Sequence, residues 1–265
     1  MAGKHVICSL GIALGVTAVA SVATGDPTLV ALTESGALLV FPADHPESAT
    51  QVSVRGLDGT LVGVDLRPAD QRLYGLTTTS EIYTIDLTNG QAKLRCSLTV
   101  PFEGGARSGI DFNPQSDRLR LVSAEGQNLR VNVDIGAAAV DRPAAYAAAD
   151  ANAGKRPAVA ASAYTNSLPD AATTKLFNIG AAEDVLAVQD PPNDGVQVTV
   201  GPLGVDFDPL AGFEIVSDPS RPDRAYAASG SVLYAINLSS GAATQLGTIG
   251  AGDAVVVSLT AASDR

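Results

Sequence analysis

Three aspartates recur within one short string. Gly63-Val64-Asp65-Leu66-Arg67-Pro68 returns as Gly109-Ile110-Asp111-Phe112-Asn113-Pro114 and again as Gly204-Val205-Asp206-Phe207-Asp208-Pro209. On an extended strand alternate residues face one side, so each carboxylate shares a face with the glycine two positions before it. Carboxylates gathered in this way around an axis would attract a cation. However, Arg72, Arg118 and Arg224 open the following strand in the same three units. A buried Asp–Arg pair with backbone hydrogen bonds is the simpler account, because buried charges are normally paired. Asp65, Asp111 and Asp206 are therefore read as structural or interaction residues, and no metal site is assigned.

A second polar row lies in Gly126-Gln127-Asn128-Leu129-Arg130-Val131-Asn132. On a strand, Asn128, Arg130 and Asn132 project to one face, a donor-rich row able to grip a carbohydrate or a partner backbone. A hydrogen-bond ladder between neighbouring sheets is the favoured reading, since buried polar groups must be satisfied. The usual catalytic sets are missing. His5 and His45 are the only histidines, and no His-x-x-x-His, calcium loop or Gly-x-Ser-x-Gly occurs. His45 sits in the loop Pro42-Ala43-Asp44-His45-Pro46, a poor place for a general base. Carboxylate pairs such as Asp206 with Asp208 or Glu183 with Asp184 are commonplace in an acidic chain. The reading is of a protein without catalytic residues or cofactor, and not an enzyme.

The elements that would position these residues form a repeat. Ile82-Tyr83-Thr84-Ile85-Asp86-Leu87-Thr88-Asn89-Gly90 matches Leu233-Tyr234-Ala235-Ile236-Asn237-Leu238-Ser239-Ser240-Gly241 at an offset of 151, close to three periods of 47. Short strand-like runs at that period predict an all-β β-propeller. One unit reads as strands over 60–66, 72–77, 81–87 and 91–99, separated by turn formers. Further units run through 109–142, 158–200 and 204–249. Three N-terminal strands, 28–33, 37–41 and 51–54, lack an innermost partner, and the run 253–260 is predicted to supply it. That pairing closes the ring and hides its strand edges. Five blades are predicted, and six are the alternative if 143–157 or 191–209 conceals extra strands.

Before the ring, Lys4 and His5 precede an uncharged stretch from Val6 to Ala23 with Ala18-Val19-Ala20 before Ser21. Residues 1–25 are read as a signal peptide or a retained membrane-anchor helix, and residues 26–265 as the propeller domain. As a helix, 18 residues would span about 27 Å, just short of the roughly 30 Å hydrocarbon layer. Gly11 and Gly15 would give a retained helix a close-packing face against another membrane helix. Both readings place the body outside the cytoplasm, in a periplasm or on the outer face of the cytoplasmic membrane.

With Lys4 the sole charge before residue 24, the body carries 16 Lys plus Arg against 28 Asp plus Glu, a net −12. Nucleic acid and anionic lipid are thereby disfavoured as partners. Cys8 lies in the apolar segment, so a disulfide with Cys96 is not expected. Cys96 alternates with Leu94 and Leu98 in strand register, a small side chain on one strand face.

The recurrent Gly-h-Asp-h-x-Pro string (h apolar), Asp117-Arg118-Leu119-Arg120-Leu121-Val122-Ser123, the Gly126–Asn132 string, Ala163-Tyr164-Thr165-Asn166 and Gln189-Asp190-Pro191-Pro192-Asn193-Asp194-Gly195 occur in this order. Together they resemble an uncharacterised bacterial family of exported proteins, a domain of unknown function expected to fold as a β-propeller. The resemblance covers about Thr28 to Leu259 and implies fold and export, with no catalytic residue to carry over. The function expected first is a non-catalytic structural or protein-interaction subunit. If the first helix is retained, the chain would be an extrinsic piece of a membrane complex of respiratory or photosynthetic type. A secreted propeller binding carbohydrate or another small ligand is the alternative, although the absence of Trp weighs against sugar stacking. A hydrolase or lyase dependent on a channel cation is the third.

Overall fold

The computed structural model describes residues 25–262 together with Met1. The apolar segment with Cys8, Gly11 and Gly15, and with it the expected N-terminal helix, lies outside the described residues. In chain order the strands are β1 (Thr28–Thr33), β2 (Ala37–Pro42), β3 (Thr50–Ser53), β4 (Leu61–Arg67), β5 (Arg72–Thr77), β6 (Glu81–Ile85) and β7 (Ala92–Ser97). They continue as β8 (Ser108–Asn113), β9 (Arg118–Ser123), β10 (Asn128–Asn132), β11 (Ala137–Val140), β12 (Ala145–Tyr146), β13 (Val159–Tyr164) and β14 (Leu176–Gly180). The last are β15 (Val185–Gln189), β16 (Val196–Pro202), β17 (Ala211–Asp218), β18 (Arg221–Ser229), β19 (Val232–Ile236), β20 (Ala243–Thr248) and β21 (Val256–Ala261).

These strands build five antiparallel sheets, the blades of a propeller. The first is ordered β21-β1-β2-β3, the second β4 to β7, the third β8 to β11, the fourth β13 to β16 and the fifth β17 to β20. The tail thus completes the sheet that the head begins, with Val30 opposite Thr260 and Ala31 opposite Leu259. Of the two stretches that left six blades open, 143–157 holds only β12, a two-residue parallel addition to the outer edge of β16. The other, 191–209, holds β16 itself, so the count is five.

Burial falls from the axis outward. Inner strands β4, β8, β13, β17 and β21 are covered on both faces, and β13 is buried at all six residues. Near-continuous apolar runs such as Leu61-Val62-Gly63-Val64 suit that double cover. Outer strands such as β7 and β20 are mostly polar and exposed. Four seams between blades are filled by apolar side chains. Leu119, Leu121 and Leu129 meet Tyr74 and Ile82 between the second and third blades. Phe177 and Ile179 meet Phe213 and Ile215 between the fourth and fifth. The fifth and first blades, and the first and second, are joined by similar clusters. The seam between the third and fourth differs: its buried apolar cluster is just Val122, Ala144 and Val159, and polar side chains fill the rest.

At the axis the inner strands approach so closely that glycine is required. A Cβ on Gly212 would stand 2.6 Å from both the backbone nitrogen and the Cβ of Leu259, and one on Gly109 would collide with the side chain and backbone of Ser162. Because the obstacle at Gly212 is backbone, Gly212→Ala should destabilise the ring by about 1–3 kcal/mol, the usual cost of overpacking. Equilibrium denaturation would read this as a lower midpoint at unchanged slope.

Candidate functional site

The inner strands carry the sequence-predicted aspartates to the axis, with one substitution. Asp65 on β4 and Asp111 on β8 are 4% and 5% exposed. Asp206 is not with them. It is exposed on the loop before β17, and the inner strand of the fifth blade instead reads Gly212-Phe213-Glu214-Ile215. Glu214, 5% exposed, takes the axial place. One carboxylate oxygen from each of Asp65, Asp111 and Glu214 lies within 4.8 Å of the other two. The missed residue had a signal: Gly-h-Glu-h keeps the glycine and the acid, and loses only the proline that belongs to the following turn.

The expected arginine pairing is also corrected. Arg72, Arg118 and Arg224 stand opposite Arg67, Asn113 and Val216, at the ends of the strand pairs and away from the axis. Arg118 donates to the carbonyls of Ser116 and Asp117, and Arg224 pairs with Asp26. Among the described residues no cation pairs with Asp65, Asp111 or Glu214. Their partners are donors from neighbouring inner strands and, for Asp65 and Glu214, the N–H of the following residue. Asp65 Oδ2 accepts from the Phe112 N–H at 2.7 Å, and Asp65 Oδ1 from the Thr260 hydroxyl at 2.7 Å. Asp111 accepts from the Tyr164 N–H. Glu214 lies beside Thr260, whose one hydroxyl proton goes to Asp65, and beside the N–H groups of Ala261 and Ile215, which favour its ionised form. Thr260 Oγ1 accepts in turn from the Leu66 N–H at 3.1 Å, and Ser258 Oγ bonds both the N–H and the carbonyl of Val64. Side chains at one level of the ring thus stitch neighbouring inner strands, which have no backbone ladder between them. Ala163 occupies the fifth place.

Three carboxyls so close, buried and without a cation cannot all be ionised. Burial pushes Asp65 up to about 7 and Glu214 up to about 8, with repulsion from Asp65 adding to the latter. Asp111 is held well above the carboxylate range by burial and then by Asp65 and Glu214. The oxygen spacing would suit a cation; burial and mutual repulsion favour retained protons, while the N–H and O–H donors at these oxygens act the other way and favour the ionised form.

The row Asn128, Arg130 and Asn132 lies on β10, and its first two members belong to the polar seam. Arg120, 2% exposed, donates to Asp141 Oδ2 at 2.6 Å, Asn128 Oδ1 at 2.8 Å, Asn193 Oδ1 at 2.7 Å and the Tyr164 hydroxyl at 3.2 Å. Arg130 grips both oxygens of Asp141 from the outer side. Asn128 Nδ2 donates to the carbonyls of Arg142 and Pro192. Asn132 Oδ1 instead accepts from the Asp134 N–H in its own turn. In the fourth blade a ladder runs outward through Ser162, Asn178, Gln189 and Gln197. The strings around Arg120, Asn128, Tyr164 and Asn193 therefore meet in one lock between two blades. Asn128 and Arg130 make their contacts within this lock.

Two remaining candidates are peripheral. His45 is exposed, with Nδ1 3.2 Å from Glu47. The Cys96 thiol donates to the Val133 carbonyl, and burial pushes it up. A surface groove of about 1000 Å³ lies around the end of the second blade, beside Thr28 and Ala262.

Two outcomes follow from this geometry. The folded ring keeps axial protons that unfolded Asp and Glu release near pH 4. Stability is therefore fully present below that pH and declines as pH rises through about 7 and 8. Melting in EDTA should show Tm falling by roughly 5–10 °C between pH 5 and 8.5, with a shallower fall in Asp111→Asn. A flat profile, or a fall abolished by calcium or magnesium, would contradict retained protons. Arg120→Met should cost about 3–5 kcal/mol in denaturant unfolding by leaving Asp141 buried with one exposed-side partner.

No curated protein matches the chain in sequence. Solved structures share its fold at low identity. A protein of unknown function from Bacteroides thetaiotaomicron is 11% identical over 87% of this chain and 55% of its own, with a TM-score of 0.51. An auxiliary nutrient binding protein from Bacteroides ovatus is 12% identical over 75% of this chain and 55% of its own, with a TM-score of 0.46. The chain thus spans about 55% of the length of these two proteins. Residues 37–260 match the family model described as Domain of unknown function (DUF4394). That match takes in the second to fifth blades, the first blade apart from β1, and the polar lock, and the chain belongs to this family.

Proposed function

We propose that this protein is a non-catalytic, extracytoplasmic propeller that acts by binding, as a structural or protein-interaction subunit. The observation that carries the reading is the sealed axis. Asp65, Asp111 and Glu214, the group best suited to acid–base or cation chemistry, are at most 5% exposed. Their oxygens accept from Thr260 and from inner-strand N–H groups, and glycine-to-backbone packing surrounds them. This burial and close packing weigh against the cation-dependent hydrolase or lyase. Binding at the outer surface and at the groove needs no access to the axis. The apolar sequence Val6 to Ala23 supports export, and with Gly11 and Gly15 it supports attachment as an extrinsic part of a membrane complex. Binding of a carbohydrate or other small ligand is the second reading, favoured by the size of the groove, although no aromatic ring lines it.

Native mass spectrometry of the protein isolated from its own envelope fraction tests this. A stoichiometric protein partner on a full-length or processed chain is expected. A lone monomer that turns over ester, lactone or glycoside substrates would overturn the proposal.

A further inference from the structure

The groove around the end of the second blade has a lining whose chemistry selects among partners. Leu73 and Ile85 stand opposite each other on the sheet face turned toward the first blade, where they join its apolar seam. Arg72, Thr84 and Lys93 share the other face, since Tyr74 pairs with Thr84, Thr84 with Lys93, and Arg72 lies two residues before Tyr74. Both faces meet in the groove at the turn from Asp86 to Gln91. Among the described residues neither Arg72 nor Lys93 forms an ion pair, in a chain where acids outnumber bases 28 to 17. The one acid in the lining, Asp86, accepts from the Thr88 N–H and hydroxyl and from the Asn89 side chain.

We infer that this groove docks an extended, acidic peptide segment of a protein partner. The inference rests on the protein-interaction reading and specifies the partner's chemistry. Arg72 and Lys93 meet its carboxylates, and the half-buried Leu66 and Leu87, beside the buried Leu73 and Ile85, take its intervening apolar side chains. Amide and hydroxyl groups such as Gln91, Asn89 and Thr88 are placed to bond an extended backbone. An acidic glycan would use the same cations, but it would also call for a ring on which to stack, and the lining has none. The net charge of the chain does not forbid the contact, because screening at physiological salt limits each charge to about 8 Å.

Fluorescence anisotropy with a labelled deca-glutamate peptide tests the inference, using the wild type, the double variant Arg72→Glu/Lys93→Glu, and Arg107→Glu as a charge reversal at an exposed site outside the groove. The expected result is salt-sensitive binding to the wild type and to Arg107→Glu. The double variant should lose at least tenfold in affinity with its Tm unchanged, both altered positions being exposed. Absence of binding to the wild type would overturn the inference, as would affinity in the double variant within twofold of wild type. Tighter binding of oligogalacturonate than of deca-glutamate would overturn the peptide in favour of a glycan. A partner found by native mass spectrometry while deca-glutamate fails would leave the protein-interaction reading standing and remove only this groove.

Discussion

The constraint on which this ring depends is the close approach of five inner strands that share no backbone ladder. Inner strands pair on one side only, each with the next strand of its own blade. Their other neighbours are inner strands of adjacent blades, and the backbone groups facing that way must be satisfied across the gap. Side chains of β21, β4, β8 and β17 do this at one level, through Thr260, Asp65, Asp111 and Glu214. Glycines at the preceding level allow the approach. Burial and ionisation then oppose each other: a carboxyl reaches a neighbouring N–H well, but three carboxyls around one axis repel unless protons remain.

Within this trade the buried axis fastens neighbouring inner strands to one another. Apolar seams supply most of the adhesion between blades, and the axial stitch fixes how the inner strands register. The polar lock between the third and fourth blades does similar work farther out, with Arg120 as its hub. Exposed loops and the groove at the second blade lie outside both fastenings.

Much of the fold was legible in the residues. The 47-residue repeat, the strand order within blades and the closing strand near the C-terminus all correspond to observed elements, because inner strands and turns each leave a strong compositional mark. The axial acids were legible only in part. Asp65, Asp111, Ala163, Glu214 and Thr260 are spaced 46, 52, 51 and 46 residues apart, and the longer intervals shifted the true fifth-blade strand off the period. Gly204-Val205-Asp206-Phe207-Asp208-Pro209 fell near two periods from Gly109 and imitated the motif, although it forms the loop into β17. The arginine pairing failed for a related reason: strand pairing sets Arg72 and Arg118 two residues beyond the acids, at the end of the sheet. The polar lock was visible as separate strings, and only tertiary structure brought Asn193 to Arg120.

Side chains at the axis satisfy the backbone of neighbouring inner strands and so hold the ring. Residue-resolved amide hydrogen exchange tests it most directly at Phe112 and Tyr164, whose N–H groups donate to Asp65 and Asp111. The account predicts that both exchange among the slowest amides of the chain, and that Asp65→Ala accelerates Phe112 far more than amides in outer strands such as β7. Rapid exchange at Phe112 and Tyr164 in the intact protein, or slow exchange unaffected by Asp65→Ala, would contradict it.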